Sequence, residues 1–129
     1  MHPDLQRIKE AAEGLLFMSE SDYPLEVIEL PANSPIQDQL LLLSGKDALA
    51  PIEKQTLEDF FRNSVTSYPT DDAVQKQNVQ RFQNLKNVLE QTLKNLEVYR
   101  IGSVQIDAFI IGQLNDGTYG GLKTKLIET

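Results

Sequence analysis

A chain of 129 residues without cysteine has no disulfide framework, thiol nucleophile or thiolate zinc site, yet it is long enough to bury a hydrophobic core without staples. Nineteen Asp and Glu against twelve Lys and Arg give a net charge of −7, which argues against direct nucleic-acid binding, since phosphates need a basic footprint, and suits a basic protein partner or plain solubility. No window approaches the roughly 20 apolar residues of a membrane span, and MHPDLQRIKE has no signal-peptide core, so one soluble domain over 1–129 in a cytoplasmic setting is expected.

Leu5, Ile8, Ala11, Ala12, Leu15 and Leu16 recur at spacings of three and four, which predicts an amphipathic helix from Asp4 to about Leu16, with Gly14 and Pro24 marking its exit. FMSESDYP (17–24) then offers two serines and two acids, more polar side chains than a turn needs. LEVIEL (25–30) alternates as a strand does. Between residues 31 and 55, Pro31, Pro35, Gly45 and Pro51 surround LLLL (40–43), which fits a short strand or a helical turn. Thr56, with Asp59 three residues on, opens a short helix whose Leu57, Phe60 and Phe61 face inward.

After NSVTSYPT, Thr70 can cap a long helix with Asp71 and Asp72 in its first turn, where negative charge complements the helix dipole. Val79, Phe82, Leu85, Leu89, Leu93 and Leu96 form its inward stripe, and QKQN and RFQN its wet face. VYRI (98–101), VQIDAFII (104–111) and YGGLKTKLIE (119–128), separated by GS and NDG, read as a β-meander, with Asn115-Asp116-Gly117 as a hairpin signal. The predicted fold class is α+β.

His2 is the one histidine, so Ser-His-acid and Cys-His catalysis are both excluded. Gly117, Gly120 and Gly121 precede no GK[ST] and no helix, so they fit a turn and tight strand packing rather than a phosphate loop. Paired carboxylates occur at Glu20 and Asp22, Asp71 and Asp72, and Glu26 and Glu29, but none sits in an apolar segment that would desolvate it, and no EF-hand rhythm appears. No metal and no cofactor are expected.

GLLFMSESDYPLEV (14–27), VYRIGSVQIDAFIIG (98–112) and GGLKTKLIET (120–129) resemble, in order and spacing, the nuclease A inhibitor family. The resemblance implies a PR-1-like three-layer α/β/α sandwich with a mainly antiparallel sheet. It implies a non-enzymatic protein, monomeric when free, that forms a 1:1 complex with a sugar-nonspecific nuclease of the ββα-metal type and blocks its active site. The glutamate inside SES, which in the family meets an essential arginine of the nuclease, falls on Glu20. The C-terminal threonine of ET, which approaches the partner's catalytic magnesium through its water, falls on Thr129. An interface aromatic ahead of the long helix falls on Tyr68, where a family member carries tryptophan.

The residues give that reading a physical sense, because Ser19, Ser21 or Asp22 can accept backbone N–H groups and leave Glu20 to project. Leu122, Thr124 and Leu126 alternate almost to the last residue, which would hold Thr129 near the sheet edge. Two other readings stay open: an acidic adaptor for a basic protein unrelated to a nuclease, and a small-molecule-binding module built on an apolar pocket.

Overall fold

A computed structural model describes residues 2–18, 21–32, 35–46 and 49–128, with the backbone alone for Met18. Helix α1 spans Pro3–Ala12, where Pro at its first position costs no helical hydrogen bond and the Asp4 N–H donates to Nδ1 of His2 at 3.1 Å. It stops four residues short of the predicted Leu16. Gly14 takes φ +78°, a left-handed value that frees the chain from the helix, so Leu15 still buries its side chain while Leu16 begins a strand.

That strand, β1 (Leu16–Met18), pairs antiparallel with β2 (Asp22–Pro24), Met18 opposite Asp22 and Leu16 opposite Pro24. Residues 16–18 and 22–24 therefore form a two-stranded ribbon where a helix exit was expected. Strand β3 (Glu26–Leu30) follows as expected. LLLL belongs to a full helix, α2 (Ile36–Ser44), ended by Gly45 at φ +68°, whose N–H donates to the Leu42 carbonyl. An unforeseen strand, β4 (Ile52–Gln55), leads into α3 (Leu57–Phe61), capped as predicted by Thr56, whose hydroxyl accepts from the Asp59 N–H at 3.1 Å.

The long helix α4 (Ala73–Thr92) is capped by Asp72, not by Thr70. Asp72 accepts from the Gln75 N–H at 2.7 Å and Gln75 Oε1 accepts from the Asp72 N–H at 2.8 Å, a reciprocal box that satisfies two donors at once. The helix ends before Leu93 and Leu96, and both leave the predicted stripe: Leu93 adopts extended dihedrals and Leu96 lies in β5 (Lys94–Ile101). Strands β6 (Gln105–Gln113) and β7 (Tyr119–Ile127) complete the meander, and Gly117 takes φ +90° in the NDG turn between them.

Among the described residues the fold is α+β, with four helices, the β1–β2 ribbon and a five-stranded antiparallel sheet in the order β3-β7-β6-β5-β4. Alternation along β6 divides the core between the two faces of the sheet. Ile106, Ala108 and Ile110 join Leu5, Ile8, Phe61, Phe82, Leu85 and Leu89 from α1, α3 and α4, while Phe109 and Ile111 join Leu40 of α2, Tyr99 and Ile101. Tight packing accounts for Gly120 and Gly121: a Cβ on Gly120 would stand 2.7 Å from Leu5, and one on Gly121 1.8 Å from the Ile110 carbonyl.

Candidate functional site

The β1–β2 ribbon is fixed at two points. Phe17 stacks on Phe60 of α3, centroids 4.4 Å apart and planes 4° from parallel, at the start of an aromatic row that continues through Phe61 to an edge-on contact with Phe82. On the other strand the Tyr23 carbonyl accepts from the Thr124 hydroxyl at 3.5 Å, a bond at the long limit of the range. Thr124 is buried although polar, and that bond is one of the contacts by which β7 meets the ribbon.

Thr124 belongs to a row across the sheet, since Glu53 of β4 stands opposite Arg100, Arg100 opposite Ala108, and Ala108 opposite Thr124. Arg100 donates through Nη1 to Glu53 at 3.4 Å and through Nη2 to Glu128, and its side chain is 16 % exposed. The Glu128 N–H donates to the Val104 carbonyl at 2.9 Å. The chain is therefore tied to the sheet up to its penultimate residue.

Glu20 and Thr129 lie outside the described residues. The segments that carry them do meet: Tyr23 is three residues after Glu20, Thr124 five before Thr129, and the two are hydrogen-bonded. β7 is not an edge strand. β3 covers its first half, from Tyr119 to Lys123, and Tyr23 of the ribbon meets Thr124, the next residue along.

Tyr68 is 53 % exposed, in the connection between α3 and α4. Its N–H donates to Asp71 Oδ2 at 2.9 Å and its carbonyl accepts from the Asp71 N–H at 3.0 Å, so the backbone is closed into a turn and the ring faces solvent. Asp71 thus serves this turn and Asp72 the helix cap. Glu26 and Glu29, three apart on a strand, fall on opposite faces of the sheet and cannot act as a pair.

Charge at the junction of ribbon and tail is mixed. A cleft of about 340 Å³ there is lined by Tyr23, Lys46, Asp107, Lys123 and Lys125 among others. Asp107, largely buried, pairs with Lys46 at 3.6 Å and also stands across from Lys125, while Lys123 stands across from Glu26. Cross-strand charge complementarity accounts for these lysines. Among the described residues no three His, Asp or Glu gather closely enough to hold a metal ion, and no helix is long and apolar enough to cross a membrane.

A family model described as nuclease A inhibitor-like protein matches residues 3–129. The chain belongs to the nuclease A inhibitor-like family. The match spans the ribbon, the long helix and the tail alike, and runs through the residues between the three blocks that carry the resemblance in the sequence. A search of curated proteins returned no match. Sequence reasoning missed Arg100 and the tie between Thr124 and Tyr23. A guanidinium inside the otherwise apolar VYRI was the available signal for the first, and Thr124 placed inward between Leu122 and Leu126 was the signal for the second.

Proposed function

We propose that this family member is an inhibitor that blocks the active site of a sugar-nonspecific ββα-metal endonuclease by presenting Glu20 and Thr129 together from one rim. The hydrogen bond from Thr124 to Tyr23 carries the reading, because it joins the segment of Glu20 to the segment of Thr129. The family match over residues 3–129 supplies the class of target.

A nuclease site is built to receive phosphate, so its blocker must offer negative oxygens from a well-held scaffold. In this scheme the Glu20 carboxylate pairs with an arginine of the nuclease, a charge-assisted contact that gains strength as water is excluded. Thr129 brings a hydroxyl and the terminal carboxylate toward water on the nuclease's magnesium, a hard cation that keeps part of its hydration shell. Tyr68 adds exposed aromatic area at low rotamer cost. The metal belongs to the partner, and this chain itself performs no chemistry.

The remaining parts of the proposal follow: one inhibitor domain over 1–129, a cytoplasmic monomer when free, and a 1:1 complex. Helices on both faces of the sheet support a PR-1-like three-layer sandwich. The test is digestion of supercoiled plasmid by a ββα-metal nuclease with magnesium as this protein is titrated in. Cleavage that stops at equimolar protein is the expected result, and cleavage unchanged at large molar excess would contradict the proposal.

A further inference from the structure

Arg100 is the arginine of the central sheet with two carboxylate partners drawn from distant parts of the chain. Glu53 lies 47 residues before it, on edge strand β4, and Glu128 28 residues after it, just beyond β7. Arg100 is mostly shielded while Glu53 and Glu128 are 71 % and 54 % exposed, so the guanidinium is the fixed member and the acids are what it holds. Its planar fork suits this, since separate N–H groups can face separate carboxylates without turning the side chain.

The pairing with Glu53 limits rotation of the guanidinium, and the second N–H is thereby aimed at Glu128. A hydrogen bond from the Glu128 N–H to Val104 fixes the backbone of the same residue. Side chain and main chain of the penultimate residue are thus held independently.

We infer that Arg100 is a positioning residue for the C-terminus: by gripping Glu128, braced by Glu53, it sets where the last residue, Thr129, is offered to a partner. The inference rests on the proposed inhibitory role of Thr129. It assigns no contact between Arg100 and the nuclease.

Two measurements test it together. In the free protein, hydrogen exchange of the residue-128 amide is followed in wild type, Arg100→Gln and Glu128→Gln; the second variant alters an exposed side chain and guards against a misfolded first. Inhibition of plasmid digestion is measured on the same proteins, on Arg100→Lys, on the Thr129 deletion, and on the deletion combined with Glu128→Gln. Exchange at residue 128 should rise by about tenfold or more in both glutamine variants while core amides of β6 stay slow. Inhibition should weaken by about tenfold, a loss of ~1.4 kcal/mol, with Arg100→Lys recovering only part of it. Glu128→Gln should add nothing once Thr129 is deleted, because both changes remove the same contact.

Unchanged exchange in both variants overturns the clamp whatever the nuclease does. Faster exchange with full inhibition, or an effect additive to the deletion, overturns the positioning role. A wild type that does not inhibit overturns the functional reading and with it the positioning role, and the exchange data then still report whether the clamp exists.

Discussion

The two faces of the central sheet are covered unequally. On one, three helices bring Leu5, Ile8, Phe60, Phe61, Phe82, Leu85 and Leu89 onto β6 and β7, and an aromatic row runs through the middle. On the other, nine-residue α2 buries Leu40 while Leu42 is 84 % exposed and Leu43 44 %. The first face supplies most of the buried apolar surface, and the ribbon rests on it through Phe17 and Phe60. Through that stacking the ribbon is anchored to the thick side of the molecule, where local opening should be rarest.

Truncating the thick core should give the largest loss. Phe61→Ala removes a fully buried ring that touches three other phenylalanines' cluster, and about 3 to 5 kcal/mol of stability should go with it. Leu40→Ala on the thin face should cost about 2 to 3 kcal/mol, because half-covered neighbours such as Leu41 can move in to fill the space. Urea unfolding of the two variants decides the matter. An equal or greater loss for Leu40→Ala would mean that the thin face is as integral to the fold as the thick one.

A smaller effect is expected at the start of α4, the longest helix of the thick face. Asp72→Ala removes one half of the reciprocal box and should cost about 1 kcal/mol, read as a shift in the urea midpoint at constant slope. Thr70→Ala should cost less, because the cap is Asp72 and not Thr70.

The smallest effect at neutral pH belongs to the thin face. The Tyr99 hydroxyl donates to Glu97 Oε2 at 2.6 Å, and burial, that bond and the Glu97 charge push its ionisation well above the ordinary phenol value of 10.0. Because the folded state favours the neutral phenol, this contribution is complete below pH 10 and declines as the pH rises beyond it. Tyr99→Phe should cost about 0.5 kcal/mol at neutral pH, since Glu97 keeps Lys54 at 3.6 Å. It should also flatten the loss of stability between pH 10 and 11.5. A wild type and variant with parallel alkaline profiles would show that the Glu97 bond is not what holds the phenol neutral.

The same contrast separates what could be read in the sequence from what could not. Helical spacing in Leu5, Ile8 and Ala12 and in Phe82, Leu85 and Leu89 pointed to the thick face, because a wide apolar stripe is written into spacing itself. The thin face was ambiguous: four leucines in a row have no period, and one of them, Leu40, is fully buried. β4 was unreadable for the same reason, since IEKQ has one apolar residue and owes its strand to pairing with Val98 through Ile101. Leu93 and Leu96 kept helical spacing past the helix, and the backbone turned into β5 instead, through Asn95 at φ +54°.

At the candidate site the signal was of a different kind. Glu20 and Thr129 were reached through resemblance and lie outside the described residues, whereas the framework around them, Tyr23 with Thr124 and Arg100 with Glu128, appears only once strands are in register. Long-range pairs of this kind leave no local pattern, so spacing could not have joined residue 23 to residue 124.

The central claim is that Glu20 and Thr129 bind the nuclease without supporting the fold. Its most direct test is the inhibition constant and the thermal midpoint measured together on wild type, Glu20→Ala and the protein lacking Thr129. Glu20→Ala should lose about 2 to 5 kcal/mol of affinity, mainly through faster dissociation, and the deletion should also weaken inhibition. Both should keep wild-type stability within about 0.5 kcal/mol. Variants that inhibit as well as wild type, or that lose inhibition only in step with stability, would contradict the claim.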